Sequence, residues 1–182
     1  MRIIAGAWRG RPLRAPAGLA TRPSADRARE ALFSMLASRL GSFEGLAVAD
    51  LFAGTGALGL EALSRGAGRC TFVEQDRDAL DALRANIATL GAKADVRAQS
   101  VATLGVIREP FDLLLLDPPY EQQAGVPVLE RLARLGWLAP GALASVEHAK
   151  GEKVHPGGFA VEAERTYGKA AITLLRWEGQ AD

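Results

Sequence analysis

One cysteine, two histidines, four lysines and no long apolar run set the first limits on this 182-residue chain. A lone cysteine, Cys70, excludes an internal disulfide framework and suits a reducing compartment. Placed in an apolar stretch, it reads as core packing rather than as a reactive thiol. His148 and His155 have no cysteine or second histidine at ligand spacing, so no metal site is expected. No segment approaches the roughly 18–20 apolar residues of a membrane span. The opening residues 1–10 lack the apolar stretch of a secretory signal. A cytoplasmic protein is the expectation.

What is present is an ordinary globular composition, 48% hydrophobic with a formal net charge of +1. That balance predicts a single domain over residues 1–182, with a basic arm and first helix at 1–40 and a core at 41–182. The near-neutral total hides a segregation. Residues 1–39 carry eight arginines against Asp26 and Glu30, which leaves 14 basic and 19 acidic residues for the rest. A GC-rich genome accounts for arginine over lysine but not for its clustering. A basic arm on an acidic body is the electrostatic footprint of a phosphate-backbone binder, with Arg9, Arg11, Arg14 and Arg22 as candidate contacts. Trp8 either stacks on nucleic acid or covers the arm's own apolar contact.

Hydrophobic periodicity then alternates between strand and helix. Residues 2–14 read as a short hairpin or extended arm. A helix capped by Ser24 runs to Gly41, bearing Arg27 and Glu30, which either line a ligand site or pair with each other at i,i+3. Strands are expected at 46–52, 69–74, 95–98, 113–117 and 143–147, with helices at 58–64, 79–90 and 126–135 between them. Residues 159–167 and 171–177 form a closing antiparallel pair. The pattern predicts an α/β, Rossmann-like fold with a mostly parallel seven-stranded sheet and helices on both faces.

Two motifs carry chemistry. Asp50-Leu-Phe-Ala-Gly-Thr-Gly-Ala-Leu-Gly follows the first strand, and its glycines satisfy a dinucleotide fingerprint, with Glu74 placed to accept from ribose hydroxyls 20 residues past Gly54. Asp50 argues against a dinucleotide. A carboxylate 4 Å from a phosphate charge costs on the order of 1–4 kcal/mol. S-adenosylmethionine has no phosphate and carries an ammonium and a sulfonium, which an acidic loop attracts. The bland alternative is that Asp50 only caps the turn.

The second motif is Leu113-Leu-Leu-Leu-Asp-Pro-Pro-Tyr. Asp117 ends a buried strand where open α/β sheets place ligands. Pro118 and Pro119 hold the chain extended, so the Asp117 carboxylate and the Pro118 carbonyl can face one point as acceptors beside the ring of Tyr120. Two acceptors and a ring suit a planar group with an exocyclic amine.

Asp50–Gly56, Glu74 and Asp117–Tyr120 resemble the cofactor loop, ribose-binding acid and catalytic tetrapeptide of class I S-adenosylmethionine-dependent amino-methyltransferases. With the blocks 2–13 and 22–33, the chain resembles the ribosomal RNA small subunit methyltransferase D family over residues 1–177. The resemblance implies transfer of methyl to the N2 amine of a guanine in 16S ribosomal RNA, on free RNA or within a small-subunit assembly; a monomer is the default for a domain of this size. It implies catalytic roles for Asp117, Pro118, Pro119 and Tyr120. It implies donor contacts from Asp50, Phe52, Ala53, Gly54, Thr55, Gly56, Glu74 and Asp117, with Gln99 where the family often has Asp or Asn. An amino-methyltransferase acting on adenine N6 is the alternative.

Overall fold

The computed structural model describes residues 1–16, 23–119 and 122–180. The candidate residues Arg22 and Tyr120 lie outside the described residues. The first helix, α1 (Pro23–Leu40), opens on a proline, whose missing N–H costs nothing in a first turn. Ser24 therefore lies inside the helix rather than at its cap. Gly41, at φ 75°, ends it by donating to the Ala37 carbonyl.

Then follow β1 (Ala47–Leu51), α2 (Ala57–Ser64), β2 (Arg69–Glu74), α3 (Arg77–Leu90), β3 (Asp95–Ala98), a 3₁₀ turn, β4 (Phe111–Leu116), α4 (Gly125–Arg134), β5 (Leu138–Ala149), β6 (Phe159–Tyr167) and β7 (Ala170–Trp177). Asp76 caps α3 by accepting from Ala79 N–H at 2.9 Å. The fifth strand is longer than its apolar run of 143–147 predicts, because Leu138–Ala142 continue beside β4 past an irregularity in register.

The sheet has the order β3-β2-β1-β4-β5-β7-β6. Its first five members are parallel, and β7 joins β5 and β6 antiparallel. The chain reverses its direction of travel across the sheet between β1 and β4, the position where such sheets open a ligand crevice. The four leucines of β4 divide by parity. Leu113 and Leu115 join the core beneath α1, α2 and α3, while Leu114 and Leu116 join the core beneath α4. Burial on both faces explains why this strand shows no polar alternation. Cys70 and Trp137 are buried in these cores, and Trp8 packs at the edge of the first. Among the described residues no helix is long and apolar enough to cross a membrane.

The arm closes on itself as a short hairpin, with one bridge between Arg2 and Pro12 and backbone hydrogen bonds from Ile3 N–H to the Arg11 carbonyl, Gly10 N–H to the Ile3 carbonyl and Leu13 N–H to the Met1 carbonyl. Side chains of the body fix it further. Glu61 in α2, fully buried, accepts from Ile4 N–H at 2.9 Å and Ala5 N–H at 3.0 Å and pairs with Arg65. Ser64 accepts from Trp8 N–H, and Asn86 in α3 brackets Arg14 by bonding both its N–H and its carbonyl. Burying Glu61 is tolerable because three donors surround its charge. Glu61→Ala leaves two amides and Arg65 without their partner. It is expected to cost about 3–5 kcal/mol in chemical denaturation. Hydrogen exchange at Ile4 and Ala5 should accelerate at least about tenfold, one decade per 1.4 kcal/mol lost. Unchanged protection there would contradict the anchoring role.

Candidate active site

Four adjacent parallel strands deliver an acid to the same face of the sheet at its carboxyl edge. Glu74 follows Cys70 and Phe72 in parity on β2, and Asp50 follows Val48 on β1. Asp117 follows Leu113 and Leu115 just past β4, and Glu147 follows Leu143 and Ser145 on β5. The apolar members of each series point into the core under α1–α3, so the acids open toward the same side.

Each acid is engaged differently. Asp50, 1% exposed, accepts from Gly59 N–H at 2.9 Å and so ties the strand end to the first turn of α2. Burial pushes its carboxyl well above the usual range, against the Gly59 hydrogen bond, and the charges of Asp117 and Glu74 push the same way. Glu74 accepts from Gly54 N–H at 2.8 Å and, with its other oxygen, from Gln75 and Asp76 N–H. Asp117 reaches solvent in the cleft but is walled by protein. Desolvation, then the charge of Glu147 and a hydrogen bond to it, push its carboxyl up to about 8.

Two adjoining cavities meet at these groups. One, of about 250 Å³, is lined by Phe52, Glu74, Asp76, Gln99, Asp117 and Pro119 among others. The second, of about 280 Å³, is lined by Asp50, Phe52, Gly54, Thr55, Asp117 and Glu147, with α1 and Ile172 closing it. Phe52 and Asp117 border both. Phe52 sits at φ 60°, a conformation costly for a bulky residue and concentrated at functional sites. The glycines have different work. A Cβ on Gly56 would lie 2.4 Å from Leu83 Cδ1, and one on Gly59 2.4 Å from Phe72 Cε1, so both serve packing of α2. Gly54, at φ 57°, has open space beside it and presents backbone to the cleft.

Residues 1–176 match the family model described as Conserved hypothetical protein 95. The chain is 37% identical over 186 residues to the ribosomal RNA small subunit methyltransferase D of Escherichia coli K12, covering 100% of this chain and 92% of that protein. It is also 37% identical to the protein of that name from Haemophilus influenzae, over 97% and 93% of the two chains. The solved structure of an Escherichia coli methyltransferase superposes with a TM-score of 0.87 at 38% identity, covering 99% of both chains. The chain belongs to the ribosomal RNA small subunit methyltransferase D family. It is a methyltransferase with S-adenosylmethionine as its methyl donor.

The donor fits what this methyltransferase offers. The cleft is acidic where a dinucleotide would bring phosphates, and Gly54 leaves room for close approach. Glu74 and Gln99 face the first cavity, and Gln99 gives its amide nitrogen to Thr103 Oγ1, leaving its carbonyl oxygen for a ligand. Asp50, with Gly59 in its grasp, chiefly shapes the turn, so the capping alternative describes its hydrogen bond, although its side chain also borders the second cavity.

On α1 the two sequence alternatives for Arg27 and Glu30 are a ligand site or a mutual pair, and neither residue is among those lining the two cavities. The i,i+3 ion pair is Arg29 with Asp26 at 3.2 Å, and among the described contacts Arg27 and Glu30 form none with each other. Arg29 is 6% exposed, donates also to the Arg2 carbonyl, and keeps its Nε without a partner. Among the described residues it is the one basic side chain lining the second cavity, an electrostatic match for a donor carboxylate. Its burial was visible only as a place on the apolar side of α1, beside Leu32 and Leu36. Glu147 stands in no sequence motif at all. His148 itself is structural, buried and bonded to Thr173 and the Ala149 carbonyl. Of the arginines proposed for RNA, Arg9 and Arg11 are exposed, and Arg11 reaches the Thr89 carbonyl at the end of α3. Arg14 lies beside Asp78 and Asp81.

The raised Asp117 has a signed consequence. The unfolded chain ionises it near its ordinary value of 3.8, whereas the folded one keeps the proton to about 8. The folded state therefore binds more protons in between, and stability contributed by this group falls as pH rises through that window. Asp117→Asn, which mimics the protonated form, should match wild type in melting temperature near pH 4. It should gain on wild type progressively to pH 8 and hold a constant advantage above. A difference independent of pH would contradict the assignment.

Proposed function

We propose that the protein transfers a methyl group from S-adenosylmethionine to the exocyclic N2 amine of a guanine in 16S ribosomal RNA. The ribosomal substrate is the one carried in the names of its relatives. The observation that carries the choice of an amine is the position of Asp117, which borders both cavities at the carboxyl end of β4, with Pro118 next to it in the chain. The donor, when bound, supplies an electrophilic methyl on a sulfonium.

The chain's own residues do the rest. Glu74 and Gln99 in the first cavity accept from ribose and adenine, and Gly54, Arg29 and Thr55 in the second receive the amino-acid end. A cation brought beside Asp117 favours its ionised form, so donor binding and loss of the Asp117 proton are coupled. The ionised carboxylate and the Pro118 carbonyl accept the two amine hydrogens and turn the nitrogen lone pair toward the methyl. A guanine amine is a poor nucleophile because its lone pair is delocalised into the ring. In-line positioning is the larger contribution, worth roughly 7–11 kcal/mol in well-oriented reactions. When the N–C bond forms, the nitrogen becomes cationic, and Asp117 takes its surplus proton and passes it to solvent. Tyr120, next in sequence after Pro119, supplies the ring on which an unstacked base rests, a contact worth about 1–3 kcal/mol. The arm gives Arg9, Arg11, Arg14 and Arg22 to the phosphate backbone, and the protein works as a cytoplasmic monomer on free RNA or a small-subunit assembly.

The test is transfer of labelled methyl into naked ribosomal RNA, assembled small subunits and DNA, followed by nucleoside identification. N2-methylguanosine is the expected product; N6-methyladenosine would overturn the reading. Asp117→Ala should lower turnover by about 100-fold or more while leaving donor affinity by calorimetry within severalfold. RNA affinity should fall steeply with salt, and replacing Arg9 and Arg11 together by Ala should flatten the log–log slope by roughly two. A slope unchanged by the double replacement would remove these arginines from the RNA contact.

A further inference from the structure

Glu147 stands in three relations at once. It is hydrogen-bonded to Asp117, it lines the second cavity beside Asp117, and it borders a narrow depression formed with Pro118, Pro119, Gly125 and His148. The parallel register that pairs Leu116 with Val146 sets the next residues of the two strands side by side. Adjacent strands lie about 4.8 Å apart, so the two carboxyls form one acceptor surface rather than two separate sites. None of the steps assigned above uses Glu147.

We propose that Glu147 is a specificity-determining residue that accepts the ring N1–H of the target base while Asp117 accepts its amine. This rests on the amine-transfer reading given above and names the base that such a site selects. A guanine edge offers two neighbouring donors, the N2 amine and N1–H. An adenine edge offers an amine next to the N1 lone pair. Against paired carboxyls the first arrangement satisfies both acceptors, and the second sets a lone pair against Glu147 and leaves it unmatched. Without a base, the two acids that the strand register sets side by side hydrogen-bond to each other. A bound guanine replaces that mutual bond with two N–H donors. Among the described residues, Asp50 from β1, Arg29 from α1 and Met1 of the arm line the same cavity as the pair, and His148 beside Glu147 is hydrogen-bonded to Thr173.

The probe for this contact is 2-aminopurine, which keeps the exocyclic amine of guanine, replaces N1–H by a lone pair and also lacks O6, so the contact to Glu147 is read from how the Glu147 variants change the preference. It is placed at the target position, mapped first by nucleoside analysis, in ribosomal RNA carried in its natural substrate form. Wild type should prefer guanine by roughly 10–100-fold in kcat/KM, the range of a lost hydrogen bond to a charged group. Glu147→Gln, whose amide can accept from N1–H or donate to N1, should lose activity on guanine and gain on 2-aminopurine, narrowing the preference at least fivefold. Glu147→Ala should lose on guanine with no gain on the analogue. Donor affinity by calorimetry should stay within severalfold in both variants, which separates misreading of the base from collapse of the cleft. Equal use of both bases by wild type, or a preference that Glu147→Gln leaves unchanged, would overturn the proposal while sparing amine transfer. Failure of wild type to methylate guanine at all would overturn both.

Discussion

The cleft depends on a proximity that the sheet enforces. β4 and β5 run parallel and in register, and their continuation sets Asp117 beside Glu147. Like charges so placed in a partly desolvated pocket do not both ionise easily, and Asp117 keeps its proton to about 8. A site with that proton is nearly matched internally; a site that has lost it is an acceptor for N–H donors and a counter-ion for a cation. Rigid neighbouring strands are what make the switch between those states available without moving the backbone.

Around this pair, other carboxyl groups fix the chain's own backbone. Asp50 holds Gly59, Glu61 holds Ile4 and Ala5, and Glu74 holds Gly54 while also lining the first cavity. Each offers acceptor oxygens to backbone donors that a helix start or an irregular segment leaves unpaired. Asn86 links the systems, bonding both the Thr55 carbonyl and the two polar groups of Arg14. The basic arm is thus connected through α2 and α3 to the glycine turn.

Much of this was legible in the amino-acid order. The alternating periodicities located all seven strands, because parallel strands buried on both faces leave dense apolar runs and the final pair alternates around Gly168-Lys169. Asp117 was legible because two prolines after four leucines mark a strand end. What the sequence hid depends on contacts between distant residues. Arg29 looks like any arginine on a basic helix until the packing of α1 over the sheet buries it. Glu147 and Glu61 stand in stretches with no motif, and their importance comes from which strand or arm lies alongside. Gly56 and Gly59 fit a ligand-binding fingerprint, yet Gly56 answers to its left-handed φ of 84° beside Leu83, and Gly59 to the close approach of Phe72 and Cys70.

The most direct measurement of the central claim follows the proton itself. Carbon-13 NMR of protein labelled at the aspartate carboxyl carbon, titrated from pH 4 to 10, with Asp117→Asn for assignment, reads the Asp117 carboxyl separately from the raised Asp50. The account predicts that the resonance missing from the variant titrates near pH 8 in the free protein and at lower pH when S-adenosylmethionine is bound. A resonance for Asp117 with its midpoint below pH 5, unmoved by the donor, would contradict it.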